Sequence, residues 1–306
     1  MISPSAMRFQ LRTRIPQPGS TTALAASRDG RFVATTNFDQ KLRVYDGRTL
    51  ALLKTLHLGT SFPHAVCFSP DGSLVGSGGK AITLFDTATW KKLRSLKGHR
   101  HELQNATFSP DGTRVFTGSG NNYTPADWSV RAWDQSTGAE LWRWKARTSV
   151  FAVAASPDGA LVAAGDTGGR VALLDAATGA ARWYVDVAGW IYRLRFTPSG
   201  DAIVASGDAA VLAVIDPATG AHRDLALGSG ARAFALTRDG ATAIVGRTSY
   251  GDPSNLAAID LATGDTRWQS EALGRLPQGL ELSPDDDVIY VLMNDPHELI
   301  VLDRIG

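Results

Sequence analysis

His99 and His101 stand two residues apart, the spacing that turns both side chains to one face of a strand, and Glu102 follows directly. A metal ion would need a third or fourth ligand, and Glu102 is the nearest candidate, so no metal site is assigned. A second chemistry is acid–base work on a small anionic molecule. His64 or Glu102 would be the base, Arg232 would hold the anion and Tyr192 would assist. No Gly-rich phosphate loop, His-Glu-x-x-His pair or nucleophile elbow accompanies them. Asp285-Asp286-Asp287 lacks the spaced oxygen ligands of a calcium loop and reads as a solvated turn. The catalytic set is incomplete, and no cofactor is expected.

These residues sit on a repeat. A small residue, Ser or Thr, Pro or Arg, and an Asp-Gly-like turn recur seven times: Ser27-Arg28-Asp29-Gly30, Ser69-Pro70-Asp71-Gly72, Ser109-Pro110-Asp111-Gly112, Ser156-Pro157-Asp158-Gly159, Thr197-Pro198-Ser199-Gly200, Thr237-Arg238-Asp239-Gly240 and Ser283-Pro284-Asp285-Asp286. Each is followed by apolar runs ending in Asp46, Asp86, Asp134, Asp175, Asp216, Asp260 or Asp303. A period of about 40 residues with several short strands marks a β-propeller blade. The prediction is a single all-β, seven-bladed propeller over residues 1–306, with blade turns near 29, 71, 111, 158, 199, 239 and 285.

From each terminal Asp to the next turn the count is 23 to 25, but from turn to Asp it runs from 15 to 23. Insertions therefore fall between the second and third strands, mainly in blades 3 and 6, in loops that carry Tyr123 and Tyr250. The chain ends at Gly306, which leaves no fourth strand for blade 7. Residues 8–15 alternate apolar and polar and are expected to supply it as the outer strand, closing the ring.

Net charge is +1, but residues 1–150 hold 20 Lys and Arg against 10 Asp and Glu, whereas residues 151–306 hold 11 against 20 and no Lys. The basic arc of blades 1–3 would suit an acidic partner. Alternatively its charges sit on outer strands, where they deter edge pairing, and both readings stay open. No Arg–aromatic interleaving speaks for nucleic acid, and no apolar run reaches the ~20 residues of a membrane helix. The lone Cys67 and the lack of an apolar leader lead to the expectation of a cytoplasmic protein.

Blade 3 holds Gly98-His99, Phe108-Ser109-Pro110-Asp111-Gly112 and Trp133-Asp134, and with them the chain resembles the WD40-repeat proteins. The resemblance implies a hydrogen-bonded structural tetrad of His99, Thr117, Asp127 and Trp133. Other blades keep fragments, such as Asp39 with Tyr45-Asp46. Blades 3, 4 and 6 also carry Asp-x-x-Thr-Gly-x-x-x-Trp, ending at Trp142, Trp183 and Trp268, which is similar to the tryptophan repeat of quinoprotein dehydrogenases. Those are eight-bladed with a calcium site. Here each Trp is expected to pack between blades instead.

In WD40-like rings the partner belt resembles a circle around one mouth, at residues leading into each innermost strand. Counting back from each turn gives Thr22, His64, Gln104, Phe151, Tyr192, Arg232 and Gln278, with Phe62 and Trp190 among the positions two residues earlier. Trp, Tyr and Arg are enriched in binding hot spots. The resulting reading is a non-catalytic protein- or peptide-binding scaffold that uses Phe62, His64, Gln104, Phe151, Trp190, Tyr192, Arg232 and Gln278, with Tyr123 and Tyr250 on the long loops. Phe151 could instead tuck inward and plug the channel. The alternative is a lactonase- or lyase-like propeller enzyme with its site in the same mouth, built on His64, Glu102, Tyr192 and Arg232.

Overall fold

The computed structural model describes residues 7–59, 62–121, 127–248 and 255–305. The chain forms seven four-stranded antiparallel sheets, each a blade. The innermost strands are Thr21–Ala26, Ala65–Phe68, Leu103–Phe108, Val150–Ala155, Ile191–Phe196, Gly230–Leu236 and Arg275–Leu282. Each packs against the next, and the seventh against the first, so the sheets form a closed ring.

Blade 7 is completed by the N-terminus. Phe9–Pro16 pairs antiparallel with His297–Arg304, from Phe9 opposite Arg304 to Pro16 opposite Glu298. Phe9 is buried among Ile244, Ile289, Val291 and Ile300, with its ring edge-on to Trp268 at 5.3 Å. Arg12 pairs with Asp303 and Arg14 with Glu298. The first and last strands thus share one sheet, and among the described residues the ring is closed by that pairing.

The seven turns share one hydrogen-bond pattern. Ser27 Oγ donates to Asp29 Oδ1 at 2.7 Å and accepts from Phe32 N at 2.9 Å, while Gly30 takes the left-handed φ of 73° that the turn requires. In blade 5, where Ser199 replaces the acid, Thr197 Oγ1 bonds Asp201 instead at 2.6 Å. The repeat therefore conserves a geometry even where its letters drift.

Burial follows strand order. Every residue of Phe32–Asn37, a second strand, is buried, whereas the outer strand Leu52–His57 buries only Leu56. Lys54, Lys92, Lys97, Arg143 and Lys145 stand exposed on the outer strands of blades 1 to 3, where charge opposes edge-to-edge association. The repeated tryptophans fill gaps between blades. Trp142 Nε1 donates to Ala176 O of blade 4 at 3.0 Å and Trp183 Nε1 to Pro217 O of blade 5 at 2.9 Å, while Trp268 packs on Phe9 of blade 7.

Candidate functional site

At one mouth of the ring the innermost strands begin, and there the ladders break in a regular way. Pairing between the first two strands shifts register around Thr22, Gln104, Phe151, Tyr192, Arg232 and Gln278, in blades 1, 3, 4, 5, 6 and 7. In blade 2, His64 lies just ahead of the strand and its N–H bonds Phe62 O at 3.0 Å. A bulge adds one residue without a ladder partner and re-aims its side chain. The belt positions are thus the residues that the sheets release.

Two aromatic groups result. On blades 4 to 6, Tyr192 takes Phe151 at 6.1 Å and Trp190 at 6.3 Å, both edge-on, and the Arg232 guanidinium covers its ring at 4.7 Å. Phe151 is half-buried rather than sealed, so its ring forms part of this surface. Trp190 is 40% exposed, yet its backbone is fixed: its N–H donates to Asp208 Oδ1 at 2.6 Å and its carbonyl accepts from Asp208 N at 3.4 Å. On blades 1 and 2, Phe62 and Phe38, 46% and 44% exposed, meet edge-on at 5.4 Å. His64 stacks on Phe62 at 6.3 Å and meets Phe38 edge-on at 5.7 Å.

Between the two groups the channel carries charge. Arg193 Nη1 donates to Tyr192 O and Nη2 to Gln278 O, each at 2.9 Å, so its guanidinium lies at the level of the belt. Arg195, one step deeper, bonds Phe234 O at 3.1 Å and pairs with Glu281 at 2.6 Å. Burial, the charge of Arg195 and that of Arg232 lower the Arg193 guanidinium to about 10, with Glu281 opposing. Burial also lowers the His64 imidazole, Glu102 raises it, and Arg193 lowers it further; the net shift keeps the ring neutral at pH 7.

His99 does not join this surface. Its Nδ1 lies 3.0 Å from Asp127 Oδ2 and its Nε2 lies 2.8 Å from Thr117 Oγ1, which also accepts from Trp133 Nε1 at 2.8 Å. Burial pushes the Asp127 carboxyl up, but hydrogen bonds from His99, Ser129 and the Arg100 N–H outweigh it and hold the group far below the carboxylate range. His101 turns elsewhere and meets Asn121 at 3.0 Å, so the two histidines do not converge. Among the described residues no three His, Cys, Asp or Glu side chains gather as a metal site. Gln104 is engaged with Gly120 O at 2.9 Å, and Gln278 serves through its carbonyl. Tyr123 and Tyr250 lie outside the described residues. On the opposite face, an open cavity of about 580 Å³ adjoins Arg12, Asp287, Asp303 and Arg304 of blade 7.

Sequence reasoning passed over Phe38, Arg195 and Arg131, and took in Arg193 only as the end of the favoured segment Trp190-Ile191-Tyr192-Arg193. Phe38 sits in the hairpin Asn37-Phe38-Asp39-Gln40, where an apolar residue among turn formers was a legible signal. Arg193 and Arg195 alternate with Leu194 and Phe196 on an innermost strand, and charge at period two there means channel lining. Arg131 leaves only 3% of its side chain exposed, bonds Asp127 at 3.0 Å and Glu140 at 2.8 Å, and extends the tetrad into a charged network. Nothing in its local sequence marks it.

Residues 126–303 match the family model described as outer membrane protein assembly factor BamB, and residues 10–46 and 90–134 match that described as WD domain, G-beta repeat. A chicken U3 small nucleolar RNA-associated protein 15 homolog is 25% identical over 47% of this chain and 27% of its own length. The guanine nucleotide-binding protein subunit beta of Lymnaea stagnalis is 28% identical over 49% of this chain and 45% of its own. A Schizosaccharomyces pombe U3 small nucleolar RNA-associated protein 21 homolog is 30% identical over 38% of this chain and 12% of its own. The chain spans less than half the length of these curated relatives.

Proposed function

Because the chain belongs to the WD40-repeat β-propellers, and over residues 126–303 to the propeller family described as outer membrane protein assembly factor BamB, we propose that it is a non-catalytic scaffold binding a protein or peptide at the belt mouth. The observation that carries this reading is Trp190, a large exposed ring on a backbone pinned by Asp208, with Tyr192, Phe151 and Arg232 beside it. A rigid aromatic anchor loses little entropy on binding, and such rings dominate interface energies. Leaving the group wet has no structural return. The relatives' names, those of an RNA-associated protein and a subunit, support membership in assemblies.

The test is affinity capture from native lysate, wild type against Trp190→Ala/Tyr192→Ala. One protein retained by wild type and lost by the variant, at a melting temperature within a few degrees, supports the reading. Equal capture by both moves the site away from blade 5.

The second reading, an enzyme acting on a small anion at the same mouth, is favoured by one observation: His64 is held neutral within reach of the Glu102 and Arg193 charges, the state a general base needs. It calls for turnover that His64→Ala abolishes. Arg232, drawn over the Tyr192 ring, is less free to serve it.

A further inference from the structure

Among the described residues, Arg193 is the channel arginine hydrogen-bonded to carbonyls alone. Arg195 has Glu281, while Arg193 has Tyr192 O and Gln278 O, and no carboxylate lies in ion-pair range among the described residues. A guanidinium offers five N–H donors, and a walled channel weakens the water that would otherwise solvate them. Such a group is poised for a planar, bidentate acceptor.

The surroundings specify what could bring one. Blades 1–2 and blade 5 lie about half a turn apart in a ring of seven, so the Phe38/Phe62 and Trp190/Tyr192 groups face each other across the mouth. Arg193 reaches from blade 5 to blade 7 between them, near enough to His64 of blade 2 to depress it. A segment covering both aromatic groups therefore crosses over Arg193 midway along its length. A terminal carboxylate would sit at the segment's end; a side-chain carboxylate sits in its middle.

Resting on the scaffold reading, we infer that the partner is an internal peptide segment that places an Asp or Glu side chain on Arg193 and apolar residues on the two aromatic groups flanking it. The charge pair sets register, and the aromatic contacts supply most of the affinity.

The experiment selects phage-displayed random peptides of about a dozen residues, long enough at about 3.3 Å per residue to cross the mouth, against the folded full chain. Fusion of the peptide C-terminus leaves side-chain carboxylates as the only ones on offer. Recovered peptides should share one acid between apolar residues. In synthetic form, changing that acid to its amide should weaken binding to wild type by ~30-fold or more, with stronger loss in low salt than in high. Arg193→Gln should bind acid and amide peptides alike. The acid–amide comparison on wild type decides the matter even if that variant folds poorly. Peptides that require Trp190 and Tyr192 yet bind equally as amides overturn the carboxylate inference and leave the scaffold standing. A selection yielding no peptide sensitive to Trp190→Ala/Tyr192→Ala overturns both.

Discussion

Phe9→Ala isolates what the N-terminal strand contributes to ring closure. The Phe9 ring is 7% exposed, sits edge-on to Trp268 and reaches the core shared by blades 6 and 7. Truncating a buried Phe removes transfer energy and leaves a cavity, together about 3–5 kcal/mol. At about 2 °C per kcal/mol for a chain of this size, the melting temperature should fall by about 6–10 °C. Leu11→Ala is the control on the same strand: Leu11 is 49% exposed, and its loss should stay within about 0.5 kcal/mol. Near-UV circular dichroism during heating reads both. Deleting residues 1–16 removes the whole ladder with His297–Arg304, and a synthetic peptide of residues 7–18 added in trans should recover part of the loss. If Phe9→Ala melted with Leu11→Ala, the strand would be an ornament on a ring closed by other means.

Asp127→Ala should cost about 3–5 kcal/mol in urea unfolding, because it strips a partner from Arg131, whose side chain is 3% exposed; a loss under about 1 kcal/mol would mean that Glu140 suffices. Acidification should destabilise the protein in two windows. His99 is depressed by burial, so the unfolded chain takes up its proton first and stability falls as pH drops below 6.5; Asp127 is depressed by its hydrogen bonds and adds a second fall below about pH 4. His99→Gln should shrink the first window in a melting series to the share of the buried His64, and weaken the second without removing it, since Ser129 and the Arg100 N–H still hold Asp127. Gly189 has φ +72°, and a Cβ there would stand 2.2 Å from Asp208 Oδ1. Gly189→Ala should therefore cost about 1 kcal/mol or more and loosen Trp190, weakening peptide binding without touching the interface chemistry.

The ring was legible because its signals are local. A Ser-x-Asp turn, a left-handed glycine and an apolar run each act within a few residues, and seven copies make the period unmistakable. The tetrad residues could be mapped for the same reason, since blade 3 keeps the fullest repeat. The belt was legible only as positions. That Thr22, Gln104, Phe151, Tyr192, Arg232 and Gln278 occupy bulges depends on register against a neighbouring strand, which no single segment declares. Pairings across the channel, such as Arg193 to Gln278 and Arg195 to Glu281, join residues more than 80 apart and follow from ring closure alone.

The bulges separate stability from recognition. A residue in a ladder is committed to two neighbours, and changing it disturbs the sheet; a bulged residue has given up that pairing, so its side chain can vary at little cost to the fold. At the turn face, a Ser or Thr hydroxyl bonds a nearby Asp in every blade, and the geometry is kept even where the acid moves, as Asp201 in blade 5 shows. At the belt face the seven positions hold Thr, His, Gln, Phe, Tyr, Arg and Gln, seven placements with almost no repetition. A repeat that is uniform on one face and individual on the other acquires its specificity at the individual face. There the chain has put its exposed aromatics and an arginine that, among the described residues, hydrogen-bonds only to carbonyls.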